Sequence, residues 1–260
     1  FFGRAAARTD DAANYLPARL SALLMCLAAM LAAGLYGVLV AALKVKFGTN
    51  ETLLTLMLNY IALAFVKYLM NGPWKAPGSS YPKIAMLAPG ARLTKVLGVH
   101  WGWILALVLV VVSYVYITRT KQGYEIAVVG ESQNTARYAG IRLSKVFIRT
   151  MAISGAICGL AGFIAVAGAS HTISTSTAGG RGFTAIIVAW LAQFNTFVMV
   201  LISFLLVFLQ KGAIQIASQF KLNDFASNVI TGIILFCIIG SEFFIQYKLI
   251  FRGRKEAHHS

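Results

Sequence analysis

His171 is followed by Thr172, Ser174, Thr175, Ser176 and Thr177, and then by Gly179-Gly-Arg-Gly182. A histidine among hydroxyls is the raw material of a hydrolase, and glycines with an arginine are that of a phosphate loop. Neither chemistry is complete. No acid lies in the segment to orient the imidazole, and no strand pattern precedes the glycines. A polar loop that lets Phe183 begin a helix is the better account. Cys26, Cys158 and Cys237 each stand in an apolar run without a CxxC partner or a metal-type spacing, so they read as small core hydrophobes and imply no metal. Asn59 is the remaining polar group in an unusual place, midway along an apolar run. A carboxamide at that depth needs partners, and two readings stand: a hydrogen bond between helices, or contact with a solute.

The elements that must position these residues follow from composition. Hydrophobic residues make up 58% of the 260 and charged residues only 12%, against roughly 25% charged in a soluble domain. This is the balance of a polytopic membrane protein. The net charge of +15 does not indicate nucleic acid, because Lys and Arg lie mainly in loops and at span ends, where anionic lipid and the positive-inside bias account for them. An intramembrane enzyme should show clustered His, Asp or Glu. The chain has eight acids, and Glu242 alone lies well within an apolar run.

A bilayer core of about 30 Å needs roughly 20 apolar residues in a helix. Residues 21–43, 52–69, 101–118, 146–169 and 227–247 meet this, with Trp101 and Trp103 as interfacial anchors of the third. The run 183–210 is too long for one untilted span and too short for two. Gln193, Asn195 and Thr196 interrupt it, which predicts helices over 183–192 and 197–210 with a turn between; one long tilted helix is the alternative. Broken helices at membrane depth are tolerated where protein or a cavity surrounds them. The broken form puts 44–50, 119–145, the turn near 195 and the basic tail 248–260 on one side, taken as the inside. Residues 71–100, rich in Pro, Gly and Ser, then face outside. The start of the chain has no initiator Met and no signal-peptide pattern, and it reads as a loop of a longer protein.

Residues 119–149 are polar and basic, carrying Arg119, Lys121, Arg137, Arg142, Lys145 and Arg149 between two spans. A short loop would join two helices, so a long one invites a functional reading. Its centre, 130–141, predicts a short helix bearing small residues (Ala136, Ala139, Gly140) beside Arg137 and Tyr138, a surface suited to docking. An amphipathic helix lying on the membrane is the plainer alternative. Ser154, Gly155, Gly159 and Gly162 predict close helix packing.

These stretches together resemble the permease subunit of an ATP-binding-cassette importer, in the branched-chain amino acid, ribose and nucleoside permease superfamily. The nucleoside and simple-sugar branch is the nearest in pattern. Residues 43–62 with Leu58-Asn-Tyr60, the loop 119–141, Ser154-Gly-Ala-Ile-Cys-Gly-Leu-Ala-Gly162, and Gly179-Gly-Arg-Gly-Phe183 carry the resemblance. It implies an all-α polytopic bundle, a single transmembrane permease domain over 1–260, with about three of the family's spans missing before residue 21. It also implies a cytoplasmic coupling loop at 119–147, in which Gly130, Asn134, Ala136, Arg137, Tyr138, Ala139, Gly140 and Ile141 meet a partner ATPase. Asn59, Phe183, Trp190 and Asn195 are the corresponding candidates for the solute path. No Gly-x-x-x-x-Gly-Lys-Ser/Thr occurs, so the chain is expected to be no enzyme and to need no cofactor, with ATP bound by the partner. Expected partners are that ATPase, a second permease subunit, an extracytoplasmic solute-binding lipoprotein and membrane lipid, but no nucleic acid. The chain departs from the family pattern at Thr184-Ala185, usually an acid then Gly, at Leu191-Ala192, usually Leu-Gly, and at Thr196-Phe197, where a Pro is usual. Trp190 takes a position that is usually small. These departures bear on solute identity. A branched-chain amino acid permease and a truncated, non-transporting membrane subunit are the alternatives in function.

Overall fold

The computed structural model describes residues 18–76, 84, 86–87, 95–96, 99–175 and 177–221, with isolated positions between 229 and 240. The expected span at 227–247 and the tail 248–260 fall outside the described residues, those isolated positions apart. The described chain is helical, as composition required. A two-residue antiparallel pair, β1 (Lys95–Val96) and β2 (Val99–His100), is an addition within the expected loop 71–100. Among the described residues, five helices are long and apolar enough to cross a bilayer: Ser21–Phe47, Glu51–Asn71, Gly102–Arg119, Leu143–Ser170 and Thr196–Gln219.

The chain divides into two compact units, Phe1–Gly179 and Gly180–Ser260. The first holds α1 (Ala18–Phe47), α2 (Glu51–Asn71), α3 (Gly102–Arg119), α4 (Lys121–Glu131), α5 (Gln133–Tyr138) and α6 (Leu143–Ile164). The last runs on as a π-helical turn, Ala165–Ser170. Helix α1 ends with Lys44 and Lys46 in its last turn, cations placed against the negative end of the helix dipole. Asn50 then caps α2 by accepting a hydrogen bond from Thr52 N at 3.0 Å.

The heart of this unit is the antiparallel pair of α1 and α6, and glycine makes it possible. A Cβ on Gly37 would overlap the Met151 carbonyl; one on Gly155 or Gly159 would overlap the carbonyls of Ala33 or Ala29. Lipid supplies no hydrophobic drive between helices, so close van der Waals packing of this kind holds them together. The expected small-residue stripe is therefore confirmed at Gly155 and Gly159. It is corrected at Ser154, which is exposed, and at Gly162, around which there is open space: these two point away from α1.

The contacts also define two ends. At one, Lys44 Nζ lies 2.7 Å from Glu51 and 4.4 Å from the Phe147 ring centroid, beside the start of α6. At the other, Gly102 abuts Ile164, Leu87 N donates to His171 O at 2.9 Å, and Thr172 Oγ1 donates to Ile84 O at 3.2 Å. His171 serves there as the residue ending the π turn, with φ 53°.

The second unit holds α7 (Arg181–Leu191) and α8 (Thr196–Gln219). The run 183–210 is thus broken, as the polar residues at its first third predicted. Helix α8 continues nine residues beyond the expected end at 210, because Lys211 and Gly212 are accommodated within the helix.

Candidate functional site

The segment 119–142 is built by side-chain caps. Thr120 Oγ1 accepts from Gly123 N at 3.1 Å to start α4, and Ser132 Oγ accepts from Thr135 N at 3.3 Å to start α5. The single short helix expected over 130–141 is therefore two: Gly130 belongs to the last turn of α4, and Ser132 breaks the path because its side chain satisfies the next helix's orphan N–H groups. Helix α5 ends in a Schellman motif, with Ile141 N donating to Ala136 O at 2.9 Å and Gly140 N to Arg137 O at 3.0 Å. Gly140 sits at φ 75°, a conformation that glycine adopts without strain.

This geometry sorts the expected coupling residues by direction. Ala136 is 0% exposed and packs with Val129 and Val146, joined by Ile141, Ile126 and Phe147. Full burial of a valine is worth about 1.5–3 kcal/mol, so this small core seats the segment on α6. Tyr138 is 94% exposed, and Gly130, Asn134, Arg137, Ala139 and Gly140 are exposed beside it. The outward face is thus polar, basic and aromatic on a rigid base.

A second tie was not legible as a motif. Arg149 Nη2 donates to Glu125 Oε2 at 3.0 Å, linking α4 to the second turn of α6, with both side chains largely covered. Among the described residues, Arg149 Nε is buried with no hydrogen-bond partner, so the charge leans on Glu125 for compensation. The two residues are 24 apart in sequence, a separation that no periodicity could pair.

Asn59 lies midway along α2 on an exposed surface, and α2 has no buried residue. One residue before it, the Leu58 carbonyl accepts a hydrogen bond from Tyr36 of α1 at 2.7 Å. In the second unit, Phe183 and Trp190 are exposed on α7, and the Trp190 and Phe194 rings lie 5.6 Å apart. Asn195 is a helix cap, since its side chain accepts from Phe197 N at 3.1 Å at the start of α8. Gln193 and Phe194, at φ 48° and 59°, make the turn between the helices. Among the described residues no three His, Cys, Asp or Glu side chains gather as a metal site would require.

Five bilayer-length apolar helices, small-residue packing and a seated polar segment between spans define a multi-pass integral membrane protein. Residues 11–239 match the family described as branched-chain amino acid transport system / permease component, and the chain belongs to that family. It is similar to the glucose ABC transporter permease protein TsgB13 of Haloferax volcanii, 29% identical over 90% of this chain and 65% of that protein. It is also similar to the guanosine ABC transporter permease protein NupP of Bacillus subtilis, 29% identical over 86% of this chain and 66% of the relative. A third relative is the nucleoside ABC transporter permease protein NupB of Lactococcus lactis, 26% identical over 90% of this chain and 67% of its own length. The chain spans just under two thirds of the first two relatives. No solved structure matches it.

Proposed function

We propose that this chain is the membrane permease subunit of an ATP-binding-cassette importer, carrying a small polar solute of the nucleoside or simple-sugar class. The observation that carries the reading is the family match over 11–239, with relatives named as glucose, guanosine and nucleoside permeases. Both cargo classes present hydroxyl-bearing rings. Such a solute needs hydrogen-bond partners in an apolar bundle, since each unsatisfied polar group costs several kcal/mol there. Asn59 offers a donor and an acceptor at mid-span, and Phe183 or Trp190 offers a face on which a base or sugar can stack. The cap formed by Asn195 makes that residue a support for the turn before it is a contact.

ATP would be bound and hydrolysed by a partner subunit, leaving this chain without a cofactor or a reaction of its own. The outward face at Asn134, Arg137, Tyr138, Ala139 and Gly140 is the surface we assign to that ATPase, with Ala136 and Ile141 holding it in place from beneath. Closure of the ATPases would push the segment as a rigid element and rock the helices between inward- and outward-open states. A second permease subunit and an extracytoplasmic binding lipoprotein would complete the assembly in the lipid bilayer.

Ala139→Trp tests the docking assignment. Gly140 is the poorer probe, because any side chain there also strains the Schellman turn. In the assembled transporter, the Ala139 variant should reach the membrane normally yet lose uptake. Wild-type uptake by that variant would overturn the assignment.

A further inference from the structure

We infer that Arg149 and Tyr36 are positioning residues that join the 121–141 segment to the midpoint of α2, so that displacement of the segment moves Asn59. The inference rests on the coupling role proposed above and adds the route by which the push would reach the solute.

The route is a series of contacts within the first unit, each of a kind that resists slip. Helix α4 is tied to α6 by the Glu125–Arg149 ion pair at 3.0 Å, above the apolar seat of Val129, Ala136 and Val146. Two residues along from Arg149, the Met151 carbonyl abuts Gly37 of α1, backbone against backbone. Gly34 against Ala152, and Gly155 and Gly159 against Ala33 and Ala29, extend the same seam. Beside Gly37 stands Tyr36, whose hydroxyl donates to the Leu58 carbonyl at 2.7 Å. Asn59 is the next residue.

Helix α2 makes this last tie matter. It has no fully buried residue, only a half-buried apolar stripe at Leu54, Leu58, Leu63 and Val66, so direct side-chain links add to what fixes its position. The Lys44–Glu51 pair holds its first turn at 2.7 Å and the Tyr36 hydroxyl holds its middle. The Tyr36 bond acts at the middle of α2, next to Asn59, whereas the Lys44–Glu51 pair acts at its first turn and, with Glu51 half exposed, is open to screening. Tyr36 is therefore the tie that places Asn59, and Arg149 is the tie that connects the seam to the docked segment.

The test uses the complete transporter in proteoliposomes, with uptake measured per ATP hydrolysed and retention of the ATPase measured on the same samples. Arg149→Met should keep the ATPase bound while uptake per ATP falls about tenfold, and Tyr36→Phe, which removes only the hydroxyl, should lower it about threefold. The exchange Glu125→Arg with Arg149→Glu restores the pair with its sign reversed and should recover uptake to within about threefold of wild type. A purely structural role would instead reduce assembly and uptake together. Arg149→Met and Tyr36→Phe variants that retain the ATPase and transport at the wild-type ratio would overturn this inference while leaving the docking assignment standing. A wild-type assembly in which the segment makes no contact with the ATPase would remove the reading on which it rests.

Discussion

Helices α6 and α2 are both apolar runs of about bilayer length, yet α1 holds them in opposite ways. Helix α6 is engaged through backbone contacts at Gly155 and Gly159 and buries Val146 and Leu160. Helix α2 has no fully buried residue, only half-buried ones, and among the described residues it is joined to α1 by Lys44–Glu51 and by Tyr36–Leu58. In lipid, a helix packed through glycines moves with its neighbour, because sliding would drive backbone into backbone. A helix with only half-buried apolar positions depends more on such polar links for its placement. The difference teaches that α6 is the closely packed neighbour of α1 and α2 the loosely packed one, with the candidate solute contact Asn59 on the loosely packed element.

The sharpest way to break the comparison is to fill the seam. Gly155→Leu should destabilise the protein by about 3 kcal/mol or more, since the carbonyl of Ala33 cannot move aside as a flexible side chain would. Folded yield by size-exclusion in mild detergent would read this, and an unchanged yield would show that the seam is looser than its geometry. A smaller effect should come from α2. Asn59→Leu should leave folding intact and lower uptake about tenfold, the worth of one well-made hydrogen bond, whereas His171→Ala should stay within about twofold of wild type. His171 as the more damaging change would move selectivity to the end of the bundle where it meets Ile84 and Leu87. The smallest effect sharpens the contrast: Met57→Leu, at an exposed position on α2, should alter thermal stability by less than about 0.5 kcal/mol. A large loss there would mean that α2 is keyed into protein after all.

Several of these features are legible in sequence because they are local. The apolar runs 21–43, 52–69, 101–118 and 146–169 marked four spans, the polar residues 193–196 marked the break before α8, and the spacing of Gly155 and Gly159 marked a close crossing. The Schellman turn is visible in sequence only as a glycine, and its geometry makes Gly140 a helix terminator as well as part of the exposed face. The sequence places Ala136 on an outward surface, but which way a six-residue helix turns depends on Val129 and Val146 beneath it. The polar ties were beyond reach for a simpler reason. Glu125 finds Arg149, and Tyr36 finds Leu58, only after α1 and α6 have brought distant segments together, and neither pair leaves a periodic trace.

The central claim is that the exposed face of α5 meets an ATPase subunit. Tyr138, 94% exposed, can be replaced with photoreactive benzoyl-phenylalanine at little structural cost, because its ring touches almost nothing within the chain. Irradiation of the assembled transporter in membranes should crosslink this position to the ATPase subunit, and Ala139→Trp should abolish the crosslink. Attachment at residue 138 to lipid alone, or to the extracytoplasmic binding protein, would contradict the account.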